Sequence, residues 1–361
     1  MAKINFKIDP TLAALKAAQE EGQYLEPRNY LGMSYVGKEC SRALWYSFRW
    51  ALTIKFAADV LRRFEDGHIG EEIMAKRLRA INGLELHTVN AKTGKQFAMQ
   101  DCGGHFAGHM DGAIRGLLHD PKTWYVWEHK QVDQKKFDLL NKAKDKLGEE
   151  NALKDWDSVY YAQAQLYMHY SKIKLHYLTC ALPGGRDITS TITEYNREDA
   201  LFHINKGKAA IKSGMPPARF SANESVPPCL WCDYKSICHG KALPKVSCRT
   251  CVHATPVIVD ESKDAKWHCS FHDKEITTDE QRNGCDSHVY IPDLLQNLAE
   301  HVDANPDENW IEYETKNGTK FKNGKGFFSS HEIRAGAEEG LDAFSDEELT
   351  EMKKIFGAKV S

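Results

Sequence analysis

The N-terminal part of the chain repeats apolar residues every three to four positions. This repeat covers residues 11–21 and, in two stretches, residues 40–81. It predicts one short amphipathic helix followed by two longer ones. Gly67 falls inside the last stretch, where a glycine costs about 1 kcal/mol relative to alanine. A glycine at such a position indicates a packing or functional reason for it.

Strand patterns replace the helical repeat after residue 104. Residues 104–116 and 123–132 predict two strands, and the Gly, Asp and Pro of GLLHDPK predict the turn between them. A second strand pair, KLHYLTCAL and ITSTITEYN, surrounds the turn sequence PGGRD. Helices are predicted over residues 134–150, 156–171 and 197–213. This order predicts an α/β fold, in which a small central mixed sheet is flanked by helices.

The remainder of the chain has a different character. Residues 226–290 are rich in cysteine and short of regular pattern, and WIEYETKNGTKFKNGKGFF predicts a hairpin with Asn-Gly as its turn. Ser345 and Glu348 form a capping-box pattern that predicts a last helix. We therefore divide the chain into three parts: a main domain (1–245), a cysteine module (246–290) and an acidic α+β tail (291–361).

Charge is distributed unevenly. The net charge is −3, but residues 291–361 hold 8 Lys+Arg and 15 Asp+Glu, so the preceding residues carry +4. A mildly basic body tolerates a DNA partner without requiring one. No apolar run approaches the roughly 20 residues that cross a bilayer, and the N-terminal MAKINFKIDP lacks an apolar signal core. We therefore expect no membrane partner and a location in the cytoplasm.

Two carboxylates and one lysine fall on the first strand pair. Glu128 and Lys130 are two residues apart, so their side chains point to the same face of a strand. Asp111 lies on the preceding strand, and a hairpin would bring it beside Glu128. Mg²⁺ is held in proteins by one or two carboxylates plus water and phosphate, and a nearby lysine stabilises developing charge. The set suits phosphodiester hydrolysis, although an E-x-K strand alone is usually a solvated face.

The order of these motifs resembles the PD-(D/E)xK nuclease superfamily, in particular its RecB-like members. In that family the Asp follows a glycine-containing strand, as in GHMDG here, and the E-x-K strand comes next, as in WEHK. A helix with Q-x-x-x-Y follows, and Gln163 with Tyr167 fits it. An upstream helix carries a glycine and, four residues later, a His or Glu that reaches the metal. Gly67 and Glu71 match that spacing, and His68 is the second candidate.

The resemblance implies a restriction-endonuclease-like core and a site for Mg²⁺ or Mn²⁺. Its metal ligands would be Asp111, Glu128, Glu71 and the backbone carbonyl of His129. Lys130 would act on the attacking water, and Gln163 and Tyr167 would lie near the substrate strand. From their spacing alone, Gln163 and Tyr167 fit equally an amphipathic helix that only packs on a sheet.

The first cysteine set is Cys229, Cys232 and Cys238. Their C-x2-C spacing with a third cysteine is typical of metal binding but is one ligand short, and Cys40 is the candidate for the fourth. A subset of RecB-like nucleases, including the CRISPR-adaptation nucleases, holds a [4Fe–4S] cluster with one cysteine before the core and three after it. The resemblance thus implies an iron–sulfur closure. A zinc site completed by His239 or Cys248 is the alternative.

The second cysteine set, Cys248, Cys251, Cys269 and Cys285, has the spacing of a structural Zn²⁺ knuckle. One of four histidines would substitute for a cysteine if the set is mixed: His253, His268, His272 or His288. A closed four-ligand zinc site would fold a segment too small for its own core. The two remaining cysteines, Cys102 and Cys180, are predicted to be packing residues.

These features predict a Mg²⁺- or Mn²⁺-dependent deoxyribonuclease. The resemblance implies an exonuclease on single- or double-stranded DNA ends, serving phage recombination or replication in a bacterial or phage-infected cytoplasm, with a recombination or replication protein as partner. Two rivals stay open: a non-catalytic DNA-end-binding module that keeps the fold, and a metal-cluster scaffold that works only inside a larger complex. A degenerate module would be expected to lose Asp111, Glu128 or Lys130.

Overall fold

The computed structural model describes residues 9–259, 262–316 and 318–338. The helix predicted from Ser345 lies outside these ranges. The described α-helices are α1 (Pro10–Glu21), α2 (Ser41–Phe48), α3 (Ala58–Arg79), α4 (Gln134–Leu147), α5 (Glu149–Trp156), α6 (Ser158–Ser171), α7 (Arg197–Lys212), α8 (Pro227–Leu230), α9 (Lys235–Cys238), α10 (Thr278–Asn283) and α11 (Ser330–Glu338).

The described strands belong to four sheets. They are β1 (Leu31–Gly32), β2 (Glu85–His87), β3 (Phe97–Asp101), β4 (Phe106–Met110), β5 (Gly112–Arg115), β6 (Tyr125–Gln131), β7 (Leu175–Ala181), β8 (Ile188–Glu194), β9 (Ala254–Pro256), β10 (Trp267–Cys269), β11 (Lys274–Ile276), β12 (Ala299–Asn305), β13 (Trp310–Thr315) and β14 (Lys320–Gly324).

The chain forms two compact units. The first comprises Met1–Glu26, Ile54–Met99 and Gly108–His203, and the second comprises Pro27–Thr53, Gln100–Ala107 and Ile204–Ser361. The first unit contains the five-stranded sheet, in the order β2-β5-β6-β7-β8. Its β6/β7 pair is parallel and the other pairs are antiparallel, so this sheet is mixed, as predicted.

Helices cover both faces of the five-stranded sheet because successive strand residues point to opposite sides. On one face Met74 and Leu78 of α3 pack against Trp127. On the other face Leu140 of α4 packs with Cys180, which is fully buried as predicted. The α/β class and the arrangement of helices around a small mixed sheet are therefore confirmed.

Local sequence signals set the ends of the helices around this sheet. The Asp133 carboxylate caps the start of α4 by accepting from the Lys136 N–H, and Asp157 caps α6 by accepting from the N–H groups of Val159 and Tyr160. The single helix predicted over residues 134–150 is wrong. Gly148 adopts a positive φ of 80° and divides the segment into α4 and α5.

The second unit contains a three-stranded antiparallel sheet, β11-β10-β9, and another, β12-β13-β14. The latter includes the hairpin predicted from the tail. Arg249 is fully buried here, and its guanidinium donates to the carbonyls of Phe48 and Asn29 at 2.9 and 3.0 Å. It also lies 3.5 Å from the ring centre of Trp50. In the described part of the chain, no helix is long and apolar enough to cross a membrane.

Candidate active site

Three charged residues meet beside β6, the central strand of the five-stranded sheet. The single strand predicted over residues 104–116 is wrong, because Asp111 occupies a bend that divides the segment into β4 and β5, which belong to different sheets. The next residue, Gly112, pairs with Trp127 of β6. This antiparallel register places Asp111 beside the end of β6 that carries Glu128 and Lys130. The hairpin therefore brings together the three residues that the sequence singled out.

Short contacts join these residues. The Lys130 ammonium lies 3.0 Å from Glu128 Oε2 and 4.0 Å from Asp111 Oδ2. The backbone N–H of Asp111 donates to Glu128 Oε1 at 3.1 Å, and the backbone N–H of His129 donates to Asp111 Oδ2 at 2.9 Å. The backbone N–H of Asp111 thus orients the Glu128 carboxylate, and the backbone N–H of His129 orients the Asp111 carboxylate. We call Asp111, Glu128 and Lys130 the acidic cluster.

Burial gives the acidic cluster unusual electrostatics. Glu128 is 1% exposed and Asp111 is 9% exposed. Burial and the Asp111 carboxylate raise the pKa of Glu128. Burial opposes the charged form of Lys130, but the attraction of Glu128 and Asp111 outweighs it and raises the pKa of Lys130. Two carboxylates therefore share one ammonium in a site screened from water.

The helix behind the acidic cluster contacts it directly. Gln163 of α6 is buried, and its Nε2 donates to Glu128 Oε2 at 2.9 Å and to the Tyr167 hydroxyl at 3.2 Å. Tyr167 is also buried, at 2% exposure. Gln163 thus contacts a charged group of the site as well as packing on the sheet.

The two upstream candidates on α3 occupy different environments. Burial, followed by repulsion from Asp111, raises the pKa of Glu71 to about 7, so this carboxyl lies within electrostatic reach of the acidic cluster. His68 is exposed. Of the two, Glu71 is the one that the structure brings to the cluster.

The glycine that matters for helix packing is Gly70. A Cβ at Gly67 would meet nothing within 4 Å, so close packing does not explain that glycine, and a functional reason for it stays a prediction. A Cβ at Gly70 would collide with the side-chain amide of Gln131 and would lie 3.5 Å from His129 Nε2. The absence of a side chain at Gly70 leaves room for the end of the Gln131 side chain, one residue before Glu71. Because both positions are glycine, the sequence alone does not indicate which of the two is packed against a neighbour.

A threonine missed by sequence reasoning supports the strand from behind. Thr179 on β7 is buried; its hydroxyl donates to the Glu128 carbonyl at 3.3 Å and accepts from Trp127 Nε1 at 3.0 Å. His129 Nδ1 lies 3.0 Å from the same hydroxyl. The His129 side chain thus faces away from the acidic cluster, and only its backbone belongs to the site. No local pattern indicates Thr179, because its role depends on the parallel pairing of β6 with β7.

The first cysteine set gathers in the second unit. Cys40 immediately precedes α2, and Cys229 and Cys238 lie on the short helices α8 and α9. Burial raises the thiol pKa of Cys232 and of Cys238, and the nearby Cys40 contributes to both shifts. Cys232 N–H donates to the Cys229 carbonyl at 3.2 Å. Cys40 therefore lies close to the later cysteines despite some 190 intervening residues.

The second cysteine set lines a single cavity of about 20 Å³, together with three of the four predicted histidines. Those cysteines are Cys248, Cys251, Cys269 and Cys285, and the histidines are His253, His272 and His288. Burial and the other three thiols raise the pKa of Cys248 to about 12. The fourth histidine, His268, instead lies 3.3 Å from Asp273.

Among the residues that the structure describes, no three His, Cys, Asp or Glu side chains are arranged to hold a metal ion. The clusters nevertheless present suitable donors: carboxylate oxygens for a hard cation such as Mg²⁺ at Asp111 and Glu128, and thiols for zinc or iron at the cysteines.

No family model matches the chain, and no curated protein matches it. Solved structures do. An alkaline exonuclease from Laribacter hongkongensis is 14% identical, with 55% of this chain and 90% of that chain covered and a TM-score of 0.35. A phage-related exonuclease from Haemophilus somnus 129PT is 15% identical, with 47% and 77% covered and a TM-score of 0.32. The protein SSO0001 is 16% identical, with 64% and 98% covered and a TM-score of 0.35. At these TM-scores, function has to be inferred from this chain's own residues.

Proposed function

We propose that the protein is a deoxyribonuclease of the PD-(D/E)xK type, RecB-like, that uses Mg²⁺ or Mn²⁺. The observation that supports this most is the acidic cluster itself: two buried carboxylates within 4.0 Å of one ammonium. Burying such charges costs several kcal/mol unless they are paired. Apolar residues could fill a purely structural role without the free-energy cost of burying charges. A chemical use for the cluster is therefore the better explanation.

Each residue of the site has a proposed task. Asp111, Glu128, Glu71 and the His129 carbonyl would hold the divalent metal. When bound, that ion would lower the pKa of a water molecule and offset charge on the phosphate. Lys130 would orient the attacking water and stabilise the charge that develops on the phosphate. Gln163, backed by Tyr167, would keep the Glu128 carboxylate in the orientation that the metal requires.

The substrate proposed is a DNA end, single- or double-stranded, and the reaction is exonucleolytic. These two proposals rest on the resemblance of the sequence motifs. The same resemblance supports three others: a restriction-endonuclease-like core, a phage-type role in recombination or replication, and a partner protein in that process. The non-catalytic DNA-binding alternative is not favoured, because Asp111, Glu128 and Lys130 are all present and in contact.

We further propose structural metals at the two cysteine sets. A [4Fe–4S] cluster would be held by Cys40, Cys229, Cys232 and Cys238, and Zn²⁺ by Cys248, Cys251, Cys269 and Cys285. The cavity of about 20 Å³ between the latter thiols has room for a single small species. Iron, sulfide and zinc analysis of anaerobically purified protein tests both sites. Stoichiometric zinc in place of iron at the first set would overturn the iron–sulfur proposal.

Cleavage of end-labelled DNA tests the proposed function. Purified protein is incubated with 5′- or 3′-labelled single- and double-stranded oligonucleotides in Mg²⁺, Mn²⁺ or EDTA. Stepwise shortening from one end in either metal, and none in EDTA, is expected.

Asp111→Asn is the matched test variant, because it removes charge with little change in volume. Asp138→Asn is its control, since Asp138 is an exposed aspartate that accepts a hydrogen bond from Gln134 of its own helix. Equal cleavage by Asp111→Asn and the wild type would remove the acidic cluster from the mechanism. Internal fragments without stepwise products would make the activity endonucleolytic.

A further inference from the structure

A row of side chains runs along one face of α6 from the acidic cluster toward solvent. Tyr160, Gln163 and Tyr167 follow one another at intervals of three and four residues, so they share that face. Exposure increases toward the start of the helix: Tyr167 and Gln163 are buried, whereas Tyr160 is half-buried. Tyr160 therefore stands at the open end of the row that holds Glu128.

The Tyr160 ring contacts two lysines. Lys130 Nζ lies 5.4 Å from the ring centre and Lys136 Nζ lies 5.3 Å from it. Both distances are within the range of cation–π interaction. Tyr160 thus connects the ammonium of the acidic cluster to an ammonium on the surface.

A second aromatic ring, that of Trp156, lies next to the Tyr160 ring. Trp156 at the end of α5 lies 5.6 Å from Tyr160, centre to centre, with the ring planes tilted by 46°. Its indole N–H donates to the Lys136 carbonyl at 2.9 Å, and Lys136 Nζ bonds Asp157 at 2.9 Å. These bonds fix the two rings and the lysine relative to one another. We call Trp156, Tyr160 and Lys136 the aromatic platform.

We propose that the aromatic platform binds the unpaired end of the DNA strand being cleaved. Single-strand-binding sites combine aromatic rings, on which bases stack, with cations that follow the backbone, and the platform has both. Because the Tyr160 ring contacts Lys130 itself, a base stacked on Tyr160 belongs to a nucleotide next to the scissile phosphate. Lys136 is 47% exposed and can reach a neighbouring phosphate. Tyr160 is thus a substrate-positioning residue, and this inference rests on the proposed nuclease function.

Steady-state kinetics of Tyr160→Ala, Tyr160→Phe and Tyr160→Leu on a single-stranded oligonucleotide test this role. Stacking on an aromatic ring is sequence-tolerant and strong enough that its loss raises KM about 10- to 100-fold. We expect that rise in Tyr160→Ala and Tyr160→Leu, with kcat nearly unchanged, and recovery in Tyr160→Phe. Trp124→Ala is the matched control. That ring is also half-buried and lies under a cation, Arg115 at 5.0 Å, but it precedes β6 at the end away from Lys130.

A binding measurement separates this inference from the proposed function. A 2-aminopurine base at the end of the oligonucleotide should lose fluorescence on binding to the wild type in EDTA, and not on binding to Tyr160→Ala. An unchanged KM in Tyr160→Ala, an equal rise in Trp124→Ala, or equal quenching by all variants would overturn the platform. A wild type that quenches the probe but cleaves no DNA in Mg²⁺ or Mn²⁺ would overturn the nuclease function and leave strand binding supported.

Discussion

Replacing Gln163 with alanine removes a buried amide that donates to the Glu128 carboxylate at 2.9 Å. A hydrogen bond to a charged group contributes about 1.5–3 kcal/mol, and the cavity left by truncation adds to the loss. We therefore expect Gln163→Ala to lower the free energy of unfolding by about 2–4 kcal/mol. Tyr167→Phe removes only the hydroxyl that accepts from Gln163, so about 0.5–1.5 kcal/mol is expected there.

Nuclease activity should also fall more in Gln163→Ala than in Tyr167→Phe, because the hydrogen bond from Gln163 orients a metal-binding carboxylate. Loss of such a supporting contact typically costs 10- to 100-fold. The assay is urea denaturation for stability and Mn²⁺-dependent nucleotide release for activity, on Gln163→Ala, Glu128→Gln and the double variant. The two changes should be strongly non-additive, since the residues are in contact. Additive losses, or a Gln163→Ala variant that is destabilised but fully active, would show that Gln163 only packs on the sheet.

Four further substitutions test the upstream ligand and two packing positions. Glu71→Gln should reduce cleavage at least about 10-fold, whereas His68→Ala should match the wild type; the reverse order of rates would make His68 the upstream ligand. Gly67→Ala should raise the free energy of unfolding by up to about 1 kcal/mol in urea titrations, and a loss of activity without such a gain would contradict its open surroundings. Arg249→Lys should lower the free energy of unfolding by about 2–4 kcal/mol, because an ammonium cannot reproduce the forked hydrogen bonds to the Phe48 and Asn29 carbonyls. An unchanged urea midpoint would refute this.

The local parts of the site could be predicted because strand geometry is regular. Glu128 and Lys130 share a face since side chains alternate along a strand, and Asp111 reaches them through an ordinary antiparallel pairing. The helix that carries Gln163 and Tyr167 could also be predicted from the sequence. What the spacing left open was whether Gln163 touches the site, and only the packing of α6 on the sheet answers that.

Features that depend on pairing between distant segments were not predictable. Thr179 supports the Glu128 carbonyl only because β6 and β7 run parallel after a long helical crossover. Gly70 and Gly67 look alike in the sequence, and their difference comes from the approach of α3 to Gln131. Arg249 stands inside a C-x2-C pattern, where nothing indicates a buried guanidinium against the Trp50 ring. Such contacts are set by tertiary packing and not by local period.

The most direct measurement of the central claim is the rate of nucleotide release by Lys130→Met in Mn²⁺. Methionine keeps most of the length of the lysine side chain and removes its charge. Lys142→Met, at an exposed lysine on α4, is the control. If the acidic cluster is catalytic, Lys130→Met should be slower than the wild type by about 100-fold or more, and Lys142→Met should be unaffected. A folded Lys130→Met that releases nucleotides at the wild-type rate would contradict the account.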